Sequence, residues 1–110
     1  MTAQEAQYLY LTTTGWKSGN PHRIEIWFVK YQDCYYLVSE RREQAHWVRN
    51  IQHNPKVKFT VADDTFEGQG RLIIPALDNS LAAAVWVLMD EKYGWSDGLI
   101  VELKPDSSPA

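Results

Sequence analysis

One cysteine, Cys34, is the whole thiol content of this 110-residue chain. No internal disulfide is available, and a reducing, cytoplasmic compartment is expected. Cys34 sits beside Tyr35 and Tyr36, where a small, inert core residue is its natural role. No apolar run approaches the ~20 residues of a membrane-spanning helix. Residues 1–7 are polar and mildly acidic, without the pattern of a signal peptide. Positive charge is short too: 11 Lys and Arg stand against 14 Asp and Glu, a net charge of −3. That balance argues against a general nucleic-acid binder, including a small barrel with stacking aromatics. Metal-ligand spacing is also missing. His46 and His53 are two helical turns apart, too far for one ion, so no metal is expected. No nucleophile–base pair stands out either.

What is present is unevenly placed. Residues 16–58 hold eight basic and four acidic side chains, a local charge of +4, together with all three histidines. The remainder carries −7. A basic region on an acidic protein suits a small anionic ligand better than a long polyanion. Five Trp and six Tyr fit a core, a planar ligand or an interface equally well.

The run Leu11-Thr-Thr-Thr-Gly-Trp-Lys-Ser-Gly-Asn-Pro-His-Arg23 is a strand that ends in a glycine-rich turn with a lysine and a serine. Successive backbone N–H groups in such a turn form a concave donor nest, and Lys17 adds a full charge. It is not a Walker loop, whose second Gly precedes Lys-Ser, because here Gly19 follows them. It is not a dinucleotide fingerprint, since the glycines are spaced wrongly and no helix follows.

The pattern predicts six strands and two helices. Residues 8–13, 23–30 and 35–39 read as strands of a meander, with Ile24, Ile26 and Phe28 on one face. Residues 43–53 read as a short helix with Ala45, Trp47, Val48 and Ile51 inward and Pro55 as its stop. Residues 57–61 and 65–74 are strands. Gly68 and Gly70 suggest a bulge or strong curvature in the second of these. Asp78 or Asn79 caps a helix through Met89 that Gly94 closes. Residues 99–103 form the last strand, and 104–110 a frayed tail. The expected fold class is α+β: a single small antiparallel barrel over residues 1–110. Such a barrel is too narrow for an interior ligand, so a planar cofactor would lie outside it, against a helix or a second subunit.

Four segments together resemble a known family. They are Leu11-Thr-Thr-Thr-Gly-x-Lys-Ser-Gly-x-Pro, Ile24-Glu-Ile-Trp-Phe-Val29, Tyr36-Leu-Val-Ser39 and Trp47-Val-Arg-Asn-Ile-x-x-Asn-Pro-x-Val57. In this order and spacing they resemble the deazaflavin-dependent nitroreductases. That family belongs to the split β-barrel flavin oxidoreductases related to pyridoxamine 5'-phosphate oxidase. The resemblance implies a homodimer that binds a deazaflavin coenzyme (coenzyme F-420) or FMN and passes hydride to a nitroaromatic or quinone.

Carried over residue by residue, Lys17, Ser18 and Gly19 would clamp the phosphate. His22 stands where an Arg is frequent, and Arg23 matches a second basic position. The two alternate along a strand, so at most one is expected to face the ligand. Ile26 would flank the ring through its backbone. Ser39, Arg41 and Arg42 match a loop around the cofactor's tail, with Arg49 as further charge. Trp47 and Asn50 match helix positions that close the site, although Trp47 also reads as core. Tyr93 and Trp95 fall in a region that borders the substrate in some relatives. Two departures stand out. Trp16 replaces a frequent Arg, and an N-terminal covering helix is missing. The second departure keeps a non-catalytic carrier or sensor of the same cofactor as the alternative.

Overall fold

In the computed structural model, residues 6–106 are described, and they form seven strands, a 3₁₀ turn and two helices. The strands are β1 (Leu9–Thr14), β2 (Pro21–Ile26), β3 (Val29–Tyr31), β4 (Cys34–Ser39), β5 (Lys56–Val61), β6 (Asp64–Leu72) and β7 (Leu99–Pro105). The helices are α1 (His46–His53), preceded by the 3₁₀ turn Arg42–Gln44, and α2 (Asn79–Tyr93). One antiparallel sheet runs in the order β2-β1-β5-β6-β7-β4-β3. Its two edge strands, β2 and β3, are separated by only Trp27 and Phe28 in sequence. The sheet therefore curls until its edges meet at that joint, which is a split barrel.

This joint corrects the sequence reading. The single strand expected over 23–30 is two strands on opposite edges, so the count is seven and the meander does not form. β1 pairs with β2, but β4 pairs with β7 and β3. The break has a visible cause. Phe28 is fully buried, and its backbone is held by the end of α2 rather than by a strand. Phe28 N–H donates to Tyr93 Oη at 3.0 Å. Lys92 Nζ donates to Phe28 O at 3.0 Å. The Tyr93 hydroxyl lies 2.6 Å from Gln7 O and 2.9 Å from Phe28 O, one of which takes its proton. Trp27 stacks flat on Tyr93 at 4.4 Å. Such contacts across 65 residues leave no local trace in sequence.

Alternation along the strands fills the barrel with Leu9, Leu11, Tyr35, Leu37, Phe59, Phe66, Val101 and Leu103. α1 covers one end by inserting Val48 and Ile51. A Cβ on Gly70 would lie 2.9 Å from Ile51 Cγ2, so the glycine admits the helix. β6 shows no bulge: its register runs unbroken past both glycines, with β5 along its first part and β7 along its second. α2 lies on the outer face, where Ala82, Val85 and Met89 pack on Val29, Tyr36, Val38, Ile73 and Ile100. Gly94 closes it in the left-handed region, φ 71°. Asp78 precedes α2 without a side-chain capping bond. Its carboxylate pairs at 3.5 Å with Arg71, which also grips buried Glu102. α1 starts at His46, three residues later than expected. β7 continues to Pro105, and Asp106 N–H bonds Glu67 O, so the first residues of the expected tail are strand. Residues 107–110 lie outside the described part. Cys34 is half-buried at the start of β4, and burial raises its thiol pKa, which agrees with an inert role.

Candidate functional site

A cleft of about 740 Å³ runs between the inward face of β2, the end of β4 and the side of α1. One end is polar and is built by the loop between β1 and β2. Gly15 N–H donates to Asn20 O at 2.7 Å, and Gly19 N–H to Gly15 O at 2.8 Å. Asn20 N–H donates to Ser18 Oγ at 3.1 Å, and Trp16 N–H to Asn50 Oδ1 at 3.0 Å. Among the described residues this leaves the Lys17 and Ser18 amides without an acceptor, and both residues line the cleft. Two adjacent free N–H groups, a lysine and a hydroxyl form a donor set suited to phosphate oxygens. The nest is thus narrower than the sequence implied. Gly19 serves through its φ of 74°, which L side chains rarely adopt, and it does not line the cleft. Gly15 is required for closeness: a Cβ there would lie 2.6 Å from Ser18 Oγ and 2.8 Å from His22 Nε2.

The β2 register explains the basic pair. His22 lies opposite buried Thr13, and Ile24 opposite buried Leu11. His22, Ile24 and Ile26 thus share the inward face. Arg23 borders the cleft along the strand, but its guanidinium lies 4.4 Å over the Tyr10 ring. Tyr10, Thr12 and Arg23 alternate to the outer face. One member of the pair points inward, as alternation requires.

The other end is apolar. Ile24, Ile26, Ala45 and Trp47 line it, and Val38 borders it at the strand while its side chain packs under α2. Trp47 is only partly buried; it packs against the core cluster and also lines the cleft. Ser39 lines the cleft, and its hydroxyl donates to Arg42 O at 3.0 Å, which fixes the turn. That turn divides the arginines. Arg41 lines the cleft together with Arg49, whose Nε donates to Glu43 O at 3.3 Å. Arg42, at φ 54°, points away and pairs with Asp97 at 3.2 Å, so it is not part of the cleft. Tyr93 and Trp95 do not line it either; they surround Trp27 at the joint.

Of the residues singled out in sequence, the structure gathers Lys17, Ser18, His22, Arg23, Ile26, Ser39, Arg41, Trp47 and Asn50 around one cleft. Thr13, Gly15, Ile24, Val38, Glu40, Ala45 and His46 also line it without having been singled out for the site, and Trp16 lines it where an Arg was expected to be frequent. Period-two alternation from Ile26 back to His22 already marks Ile24. Trp16 carries no such mark: its ring stacks on His53 at 5.0 Å, with Lys17 Nζ 4.7 Å above it. No group of three or more potential metal ligands occurs among the described residues. None of the described helices is long and apolar enough to cross a membrane.

These residues fit a phosphorylated planar group: free amides and cations at one end, an apolar wall at the other. Comparison with known proteins points the same way. The sequence model of a family described as F420H(2)-dependent quinone reductase matches residues 1–94. No curated protein matches the chain. Among solved structures, HutZ, the heme storage protein from Vibrio cholerae, is similar at 23% identity and TM-score 0.79, over 96% of this chain and 86% of that one. A pyridoxamine 5'-phosphate oxidase homologue from Listeria innocua is similar at 16% identity and TM-score 0.74, over 96% and 88%. An F420 reductase is similar at 19% identity and TM-score 0.67, over 96% and 90%. At these identities the structural likenesses establish the split-barrel fold.

Proposed function

We propose a function that starts from descent: the chain belongs to the F420H(2)-dependent quinone reductase family, and its cleft binds a deazaflavin coenzyme or FMN for reduction of a quinone or nitroaromatic. The observation that carries this reading is the pair of acceptor-free amides at Lys17 and Ser18, two residues that line a cleft whose other end is apolar. When bound, the reduced cofactor supplies the hydride, and the chain supplies binding and orientation.

The Lys17 and Ser18 amides, the Ser18 hydroxyl and the Lys17 ammonium take phosphate oxygens. The imidazole of His22 adds a donor where it meets the same loop. Ile24 and Ile26 hold one face of a ring system and exclude water from it, while Trp47 borders it from α1. Arg41 and Arg49 lie where an acidic tail would leave the cleft, and this favours the deazaflavin coenzyme over FMN. Ser39 keeps the Arg41 turn in place. Gly19 acts through its backbone shape alone. β2 is a sheet edge whose outer backbone groups have no strand partner among the described residues. This supports a homodimer in which a second copy covers the open side of the cleft. The single half-buried thiol supports a reducing compartment such as the cytoplasm.

Purified protein is titrated anaerobically with reduced deazaflavin coenzyme and, separately, with reduced FMN. Saturable binding followed by menadione- or nitroaromatic-dependent reoxidation is the expected result. Binding without reoxidation would convert the reading into a carrier or sensor. Absence of binding to either cofactor would reject both. Sedimentation with and without cofactor reads the dimer.

A further inference from the structure

Within the loop between β1 and β2 the Gly15, Gly19 and Asn20 amides find acceptors, whereas Trp16 N–H finds its acceptor only on α1. We propose that Asn50, at the border of the cleft, is a positioning residue that braces the loop so that the Lys17 and Ser18 amides are the ones left free. The proposal rests on the phosphate reading of that loop. The Asn50 side chain is buried, with the residue only 4% exposed. Nδ2 donates to Thr13 Oγ1 at 2.9 Å, and Oδ1 accepts Trp16 N–H at 3.0 Å. A planar amide offers donor and acceptor on opposite arms of one rigid group. Thr13 holds the NH₂ arm, and this turns the carbonyl arm toward Trp16.

The brace therefore spans three elements: the end of β1, the first turn of the loop, and the middle of α1. His53, three residues further along α1, lies on the same side of the helix and stacks on the Trp16 ring at 5.0 Å and 13°. α1 thus holds Trp16 by backbone and by ring. With Trp16 N–H engaged, and the Gly15, Gly19 and Asn20 amides engaged within the loop, the next two amides are the ones left to face the cleft. A loop shaped before its ligand arrives loses little conformational freedom on binding. Without Asn50, the part-buried Trp16 N–H loses its protein acceptor, and the loop is no longer tied to α1 by its backbone.

The test uses the full chain, ¹⁵N-labelled, titrated with FMN and separately with inorganic phosphate. In the wild type, the Lys17 and Ser18 amide signals shift and saturate with both probes. Asn50→Ala is expected to broaden the loop amides and weaken FMN binding about tenfold or more. Its β5 and β6 signals stay in place, and the Michaelis constant for the electron acceptor does not move. Thr13→Val keeps the shape but removes the acceptor of the Asn50 NH₂, and is expected to weaken FMN binding about threefold. Thr13→Ser stays within about twofold of the wild type. Wild-type affinity in both Asn50→Ala and Thr13→Val would overturn the brace while leaving the phosphate site standing. Failure of the wild type itself to shift at Lys17 and Ser18 would overturn the phosphate site, and the brace with it.

Discussion

β2 is entered and left by two connections of opposite character. The entry, residues 15–20, leaves two amides free at the mouth of a cleft. The exit, Trp27 and Phe28, engages both backbone groups of Phe28 with Lys92 and Tyr93 and stacks Trp27 on a tyrosine. A connection meant to receive a ligand keeps donors available and is held from behind. A connection meant to close a barrel satisfies every group it buries. The same strand thus joins a region built to bind with a region built to hold.

That contrast breaks if a change at one connection acts like a change at the other. The largest effect is expected at the exit. Phe28→Ala removes a fully buried ring and should cost about 3–5 kcal/mol in urea or thermal denaturation. Next is Tyr93→Phe, which strips the acceptor from Phe28 N–H. A loss of about 1–3 kcal/mol is expected, with cofactor affinity within about twofold of the wild type. At the entry the signature reverses. Lys17→Ala should leave the melting temperature unchanged and weaken cofactor binding about tenfold, more steeply at low salt. The two arginines sharpen the comparison further. Arg41→Ala should weaken binding several-fold, on the order of one charge-assisted contact. Arg42→Ala should alter neither affinity nor, beyond about 1 kcal/mol, stability, because its pair with Asp97 is exposed.

The smallest effect is a pH dependence at the exit. Burial lowers the Lys92 ammonium to about 8, against about 10.4 in an unfolded chain. Below pH 8 both states hold the proton, and the folded state bears the full desolvation cost. Between about 8 and 10.4 the unfolded chain binds more proton than the folded one, so stability rises with pH. Melting curves of wild type and Lys92→Met are therefore expected to separate in favour of the wild type from pH 7.5 to pH 10. A constant gap would remove Lys92 as its source.

Legibility in the sequence followed the range of the interactions. The loop was readable because its signals are local: Gly15, Lys17, Ser18 and Gly19 lie within five residues, and strand alternation limited the inward face to one of His22 and Arg23, which the pairing with β1 shows to be His22. α1 was readable from its apolar period and Pro55, and α2 from Gly94. The family resemblance then named the split barrel, which the sheet order bears out. The break at Trp27 and Phe28 was not readable, because Ile24, Ile26 and Phe28 continue one apolar face straight through it. The contacts that divide them come from Lys92 and Tyr93. Gly68 and Gly70 offered a bulge or strong curvature, and the unbroken register excludes the bulge. A glycine that admits Ile51 of a distant helix is written the same way as one that kinks a strand. Arg41 and Arg42 were indistinguishable as neighbours, and only the positive φ at Arg42 sends the second toward Asp97.

Ile26 forms the apolar end of the cleft, and the residue after it is already clamped to the last turn of α2. A helix that contributes no atom to the binding surface thereby sets how far the rim of that surface can swing. Changes at Lys92 or Tyr93 would therefore register first in how firmly that rim is anchored, and only weakly in how tightly a ligand is held.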